Sequence, residues 1–271
     1  MKHLILGSSG QIGQYLVAYL QNKNEEVDTY DITDNKEFDL RLDNNLLLLD
    51  KVKSADIVYF LAFDIGGSKY MEKYQDTYEF IENNVKIMKN TFAILKNTGT
   101  PFIFASSQMS NMTHSTYGVL KCVGEKYTNA LNGINVKFWN VYGYETNEEK
   151  SHVITDFINM AKKDNCIKMR TDGNELRQFL FGEDCANALY TIAIKYASLE
   201  RNKNYHITSF KWSSINEIAD IIKKLSNCNV IKCDKVDNVQ RGMKNEPDPF
   251  ILNYWAPRFT LDMGIKMLYN T

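Results

Sequence analysis

Tyr117 and Lys121 stand four residues apart in the run Ser115-Thr116-Tyr117-Gly118-Val119-Leu120-Lys121. On a helix that spacing puts both side chains on one face, so the ammonium can lower the phenol pKa and still reach a nearby ribose hydroxyl. The chemistry suited to such a pair is hydride transfer coupled to movement of a hydroxyl proton. A lone Tyr-x-x-x-Lys is common on solvated helices, so the case rests on what accompanies it. Here the chain opens on a dinucleotide cradle. The apolar strand Lys2 to Leu6 runs into Gly7, Gly10 and Gly13 at G-x-x-G-x-x-G spacing, and a helix from Gln11 to Leu20 follows. The glycines serve a tight turn, close approach of backbone to a pyrophosphate, and close packing of helix on strand. The helix start, at Gln11 and Ile12, aims its free N–H groups at the phosphates. Asp31 closes the next strand-like run, about twenty residues after the glycines, where a carboxylate bonds a ribose diol and repels a 2′-phosphate. That favours NAD over NADP.

Positioning these groups requires a sheet, and strand and helix patterns alternate along the chain as they do in a parallel sheet covered on both faces. Strands are expected at Lys2–Leu6, Val27–Tyr30, Ile57–Leu61, Pro101–Ala105, Asn135–Trp139 and Tyr205–Thr208. The long helical patterns are Tyr78 to Lys96 and Tyr117 to Asn132. The fold class is α/β, a doubly wound parallel (Rossmann) sheet with a smaller C-terminal lobe. Residues 1–143, with 171–210 returning to them, are expected to bind the dinucleotide, and 144–170 with 211–271 to form a substrate-binding lobe.

Composition narrows the function class. The 271 residues can bury a large core, and a net charge of −1 gives no electrostatic footprint for nucleic acid or an anionic membrane. No apolar run is long enough to span a bilayer, and the strand-length apolar run after Lys2 does not resemble a signal peptide. Cys122, Cys166, Cys185, Cys228 and Cys233 are scattered and odd in number, which suits a reducing cytoplasm better than a disulfide scaffold. Neither they nor the dispersed His3, His114, His152 and His206 have metal-site spacing. His114, just before the Tyr117 helix, is the histidine placed to join proton transfer.

The glycine turn, Phe60-Leu61-Ala62, Ala105-Ser106-Ser107, Tyr117 to Lys121, Asn140-Val141-Tyr142-Gly143, Arg177 to Asp184, and Trp255-Ala256-Pro257-Arg258, in that order, resemble the extended short-chain dehydrogenase/reductases. Within them the chain is similar to the NAD-dependent epimerase/dehydratase group acting on nucleotide-activated sugars. The resemblance implies that Gly7, Gly10, Gln11, Ile12, Gly13 and Asp31 hold NAD. It places Asp39 near the adenine, Leu61 and Ala62 beside the cofactor, and Lys121 on the nicotinamide ribose. Tyr117 is then the base, with a phenol pKa lowered toward neutrality, and Ser107, or else Ser106, bonds the sugar oxygen. Gly67, Ser68, Asn140, Arg177 and Arg241 fall on the substrate side, the arginines matching diphosphate-binding positions. The resemblance also implies a homodimer through the two long helices.

Departures from the family pattern restrict the reaction. Sugar 4,6-dehydratases carry an acidic pair after the active-site Ser or Thr, where this chain has Gln108 and Met109, so dehydration is disfavoured. The run Phe63-Asp64-Ile65-Gly66-Gly67-Ser68 resembles GDP-mannose 3,5-epimerases and, more loosely, GDP-fucose synthases, which leans the substrate toward a GDP-linked sugar. Both groups place an acid/base cysteine where Met109 stands. The stretch from Ser107 to Tyr117 is shorter than usual, and Tyr144 replaces a proline. The expectation is an NAD-dependent oxidoreductase or epimerase working through a 4-keto sugar. Epimerase, 4-dehydrogenase and 4-keto reductase stay open. A catalytically silent NAD-sensing protein is the alternative from another class.

Overall fold

In the computed structural model, which describes residues 1–236 and 245–271, apolar runs and their caps set the elements. In chain order the first part comprises β1 (Lys2–Leu6), α1 (Gln11–Asn22), β2 (Glu26–Tyr30), α2 (Leu46–Ser54), β3 (Ile57–Phe60), α3 (Ser68–Tyr74), α4 (Tyr78–Thr98), β4 (Phe102–Ser107), α5 (Thr116–Ala130), β5 (Ile134–Phe138) and β6 (Asn140–Tyr142). Then come α6 (Val153–Asp164), β7 (Cys166–Lys168), β8 (Leu176–Arg177), β9 (Phe179–Phe181), α7 (Gly182–Ile194), β10 (Asn204–Ile207), β11 (Ser213–Ser214), α8 (Ile215–Ser226), β12 (Asn229–Ile231) and α9 (Leu261–Tyr269).

The six strands expected from sequence are the six strands of the main sheet, ordered β10-β5-β4-β3-β1-β2 and parallel throughout. Parallel strands covered on both faces should read as unbroken apolar runs, and β3, β4 and β5 are buried at every residue. Side chains on one face of the sheet pack with α1 and α7, and those on the other with α2, α4 and α5. In the second layer Phe92 of α4 sits edge-on to Phe60 at 5.3 Å and stacks on Tyr127 of α5 at 5.0 Å. Such ring pairs contribute about 0.5–1.5 kcal/mol each beyond their area. Helix ends follow local chemistry: Thr77 caps α4 by accepting from Phe80 N, and Gly99 ends it in the left-handed region at φ 68°.

A third core joins α6, α8 and α9 to Tyr142, Phe179 and Phe181. Around it lie three two-stranded pairings, β6 with β9 and β7 with β12 in parallel, and β8 with β11 antiparallel. Sequence periodicity does not reveal strands this short, because two or three residues carry no alternation.

Strand order changes direction at β1, whose neighbours are β2 on one side and β3 on the other. A crevice opens at the carboxyl ends of strands at such a point, and ligands of doubly wound sheets bind there.

Candidate active site

Gly7 ends β1 at φ 88°, a conformation that L-side chains rarely adopt, and a Cβ on it would lie 2.7 Å from Ala62 N at the end of β3. A Cβ on Gly13 would lie 2.2 Å from the carbonyl oxygen of Gly7. Both glycines are therefore fixed by close backbone approach, with the turn folded directly onto the crevice. Gly10 is the N-cap of α1 and offers no side-chain cap, and the first intrahelical bond runs from Gln14 N to Gly10 O. The N–H groups of Gln11, Ile12 and Gly13 thus have no partner within the helix. Nearby, Gln11 Nε2 is buried without a hydrogen-bond partner.

At the far end of the turn, Asp31 Oδ2 accepts from Ser9 N at 3.1 Å and Oδ1 from the Thr33 hydroxyl at 2.9 Å. Asp39 grips Arg41 through Nε at 2.9 Å and a second nitrogen at 2.8 Å, and Arg41 in turn donates to Asn83. Burial alone would raise the Asp39 carboxyl, but the guanidinium outweighs it and holds the group below its ordinary value. Free amides at a helix start, a glycine turn without room for side chains, an orphaned amide and a carboxylate after β2 fit a dinucleotide. Gly7, Gly10, Gln11, Ile12, Gly13 and Asp31 would hold NAD, with Leu61 and Ala62 forming the opposite wall.

Ser107 closes β4, and its hydroxyl accepts from Met109 N at 3.1 Å, starting a short 3-10 turn over Gln108–Asn111. That short turn packs directly against α5. The Ser115 hydroxyl caps α5 by accepting from Gly118 N at 3.2 Å, so Tyr117 sits in the first helical turn, where the Ser107 hydroxyl is near enough to pull its phenol pKa down. Ser106 points elsewhere, donating to buried Glu125 at 2.5 Å. Of the two serines, Ser107 is therefore the partner of the phenol. Glu125 also pairs with buried Lys137 at 3.3 Å.

The ionisation of the pair differs from the sequence expectation. Burial raises the Tyr117 phenol, only partly offset by Ser107, and so does not bring it toward neutrality. Lys121 is lowered to about 7 by burial, opposed by Glu125. Its ammonium donates to Ala105 O at 2.6 Å and lies 5.7 Å from the Tyr117 ring centroid. Desolvation outweighs the mutual effect that the four-residue spacing suggested.

On the substrate side the loop before α3 is clamped to the segment before α6. Gly67 N donates to Lys150 O at 2.8 Å, and a Cβ on Gly67 would lie 2.0 Å from Ser151 O. Asp64 accepts from Lys150 at 2.9 Å and from Tyr70 at 2.7 Å. Ser68 starts α3 and is exposed. Asn140 donates through its side chain to Gln178 O at 3.4 Å, and Arg177 donates to Leu176 O at 2.8 Å. Arg241 lies outside the described residues.

Apart from Arg241, every site residue named from sequence lines one cavity of about 1810 Å³, as does His114. Single-ligand pockets usually measure about 300–1,000 Å³, so there is room for two ligands side by side. The cavity also holds a pair that sequence reading passed over. His152 Nδ1 lies 2.6 Å from Glu145 Oε1, and the same carboxylate accepts from His152 N at 2.9 Å. Burial pushes Glu145 up, but the imidazole overrides this and keeps the carboxyl below its ordinary value. The available signal was a carboxylate and a histidine flanking the last loop before a helix, which is weak without coordinates.

Comparison with known proteins agrees with this geometry. The chain shares 34% identity over 116 residues with a putative UDP-glucose 4-epimerase of Methanocaldococcus jannaschii, covering 40% of this chain and 36% of that one. It shares 26% identity over 177 residues with a GDP-L-fucose synthase of Sinorhizobium fredii, covering 59% and 54%. The chain thus spans about a third to a half of the length of these curated relatives. Among solved structures, MoeE5 in complex with UDP-glucuronic acid and NAD superposes with a TM-score of 0.82 at 20% identity, over 100% of this chain and 98% of that one. Epimerase Mth375 from Methanothermobacter thermautotrophicus gives 0.80 at 19%, over 99% and 91%. These two likenesses establish the fold. Residues 3–208 match the sequence pattern of one family, and with the cradle, the sheet and the Ser-Tyr-Lys group in place, this chain belongs to the NAD dependent epimerase/dehydratase family.

Proposed function

We propose that the protein is an NAD-dependent oxidoreductase or epimerase that acts on a nucleotide-activated sugar through a 4-keto species. The observation carrying this reading is the convergence of Ser107, Tyr117 and Lys121 on the cavity whose other wall is the dinucleotide cradle. Bound NAD supplies the hydride acceptor and donor. Tyr117 holds and moves the proton at the sugar oxygen, and Ser107 bonds that oxygen as charge develops on it. A phenol raised by burial is neutral at pH 7, the form that donates a proton to a keto oxygen. The Ser107 hydroxyl favours the opposite step. Lys121 would serve the ribose.

In this reading residues 144–170 and 211–271 form the substrate lobe, with Asn140, Arg177 and Arg241 toward the diphosphate. The Asp64 to Gly67 run leans the base toward guanine. The nucleotide-sugar names of both curated relatives support the substrate class but divide on the base. Against 4,6-dehydration, Gln108 is buried and accepts from Asn245 at 2.7 Å, so no acid stands after Ser107. The Glu145–His152 pair favours a second reading within the same class. With Nδ1 held by the carboxylate, the other ring nitrogen of His152 can take a proton from a carbon beside the keto group and return it, the step that epimerisation at C3 or C5 adds to hydride transfer at C4. An NAD-sensing protein without catalysis has no use for Ser107, Tyr117 and Lys121 gathered on the cavity.

Homodimerisation is part of the proposal. Val119, Val123 and Tyr127 form an exposed stripe at four-residue spacing on α5, and Tyr78, Ile81 and Val85 are exposed on neighbouring α4.

The test is incubation with single GDP- and UDP-linked sugars, following reduced-nicotinamide absorbance and sugar products by NMR. A product with altered configuration or oxidation at C4 supports the reading. No conversion across a broad panel, with NAD still bound, would replace it with the sensing alternative.

A further inference from the structure

The turn that opens the cradle carries two hydroxyls, on Ser8 and Ser9, and both are engaged by one carboxylate beyond the end of β2. Ser9 Oγ donates to Asp34 Oδ1 at 2.7 Å, and Ser8 Oγ donates to Asp34 Oδ2 at 3.5 Å. Asp31, three residues earlier, takes the backbone N–H of Ser9 instead. Arg41, the guanidinium lining the cavity beyond this loop, is held by Asp39 and Asn83. A 2′-phosphate on an adenosine ribose is bound by hydroxyl, backbone and arginine donors that supply charge-assisted hydrogen bonds. Here the serine hydroxyls and the guanidinium, the groups fitted to that task, are each occupied by a carboxylate.

We propose that Asp34 is a second specificity-determining residue of the cofactor site, distinct from Asp31, which excludes 2′-phosphorylated dinucleotides by capturing the Ser8 and Ser9 hydroxyls. The two aspartates divide the work. Asp31 offers acceptors to a ribose diol, whereas Asp34 removes the donors that a phosphate in its place would need. Asp34 is exposed, so its bare repulsion of a phosphate is screened by salt. Capture of the hydroxyls acts over a contact distance well inside the screening length, so this part of the discrimination is much less sensitive to ionic strength. Replacing Asp31 alone therefore leaves NADP without partners, and relaxed specificity requires both changes.

The inference rests on the cradle binding NAD, so the experiment reads binding and not turnover. Calorimetry would compare NAD with NADP, and 5′-AMP with 2′,5′-ADP, on the unaltered protein and on Asp31→Ser, Asp34→Ser, Asp34→Asn and the double Asp31→Ser/Asp34→Ser variant, at low and high salt. Asp34→Ser should improve the affinity for 2′,5′-ADP relative to 5′-AMP by about tenfold, the scale of one or two charge-assisted hydrogen bonds, and the gain should survive high salt. Asp34→Asn removes the charge but keeps an oxygen for the Ser9 hydroxyl, so its gain should be small and lost in salt. The double variant should narrow the NADP-to-NAD gap by more than the two single changes combined. If Asp34→Ser binds 5′-AMP yet gains nothing for 2′,5′-ADP, or if Asp34→Asn matches it at high salt, hydroxyl capture is overturned. Failure of the unaltered protein to bind NAD would instead overturn the cradle reading. Circular dichroism and 5′-AMP binding identify any variant that has not folded, in which case Asp34→Asn and the double variant still decide the question.

Discussion

The ammonium of Lys121 lies 3.7 Å from the centroid of the Phe63 ring, and the same ring meets Tyr117 edge-on at 5.8 Å. One aromatic side chain at the end of β3 therefore packs against both members of the Tyr-x-x-x-Lys pair. A desolvated cation over a ring gains about 2 kcal/mol, which offsets part of the cost of burying it.

That burial makes the charge of Lys121 titratable near neutrality. With its pKa lowered to about 7, the lysine is charged below that pH and increasingly neutral above it. NAD affinity is expected to be strongest below pH 7 and to weaken as the pH rises from 6 to 8.5, by about tenfold, the value of a lost charged hydrogen bond. Lys121→Met should bind weakly with a flat profile. Calorimetric titrations at several pH values would measure this, and a flat profile for the unaltered protein would refute it.

Tyr117→Phe keeps the ring against Phe63 and deletes the hydroxyl. Turnover should fall by about a hundredfold or more, the usual scale of a lost general acid or base, while the NAD dissociation constant changes little. Ser107→Ala should cost less, about tenfold, and chiefly in kcat. Steady-state rates on any substrate found in the sugar panel, beside calorimetry, separate the two effects.

His206 provides a stability test. Burial, reinforced by nearby Lys137, lowers its pKa to about 4, and Nδ1 is 3.1 Å from Trp139 Nε1. The folded chain favours the neutral ring, so its contribution is complete above the ordinary histidine value near 6.5 and is lost as the pH falls from there toward 4. Between pH 7 and pH 5 the loss should be about 2 kcal/mol. Urea unfolding of the unaltered protein and of His206→Gln at both pH values checks it. Equal pH sensitivity in the two proteins would mean that other groups are responsible.

Val123→Glu places a charge in the middle of the exposed stripe on α5. If α4 and α5 form the dimer face, this change should convert dimer to monomer in light scattering without altering the circular dichroism spectrum. Unaltered protein that is already monomeric at micromolar concentration would dispose of the dimer.

The main sheet was legible because its strands are short runs rich in apolar and β-branched residues bounded by turn residues, unbroken in Ile57–Phe60 and interrupted in Ile134–Phe138 only by Asn135 and Lys137. Gly7 and Gly13 were legible because close backbone contact admits only one residue type. The ionisation of Tyr117 was not. Sequence spacing places a lysine beside a phenol, but burial determines which influence prevails, and burial is set by Phe63, Phe104 and other residues distant in the chain. The Glu145–His152 pair and the Arg41–Asp39 fork escaped for a related reason. Each consists of ordinary polar residues in loops, and only the cavity beside them gives the pairing meaning.

The placement of β10 has a consequence for how the chain is made. Strand β5 is complete at Phe138, but the neighbour that covers its outer edge is formed only by Asn204–Ile207, after β6, α6 and α7 have been synthesised. On the ribosome, the nascent sheet therefore carries an unpaired apolar border for the whole of that interval, a border of the kind that recruits foreign strands. Synthesis that stalls between these two points should yield chains that clump or require a chaperone, whereas chains extended beyond Ile207 can seal the border themselves.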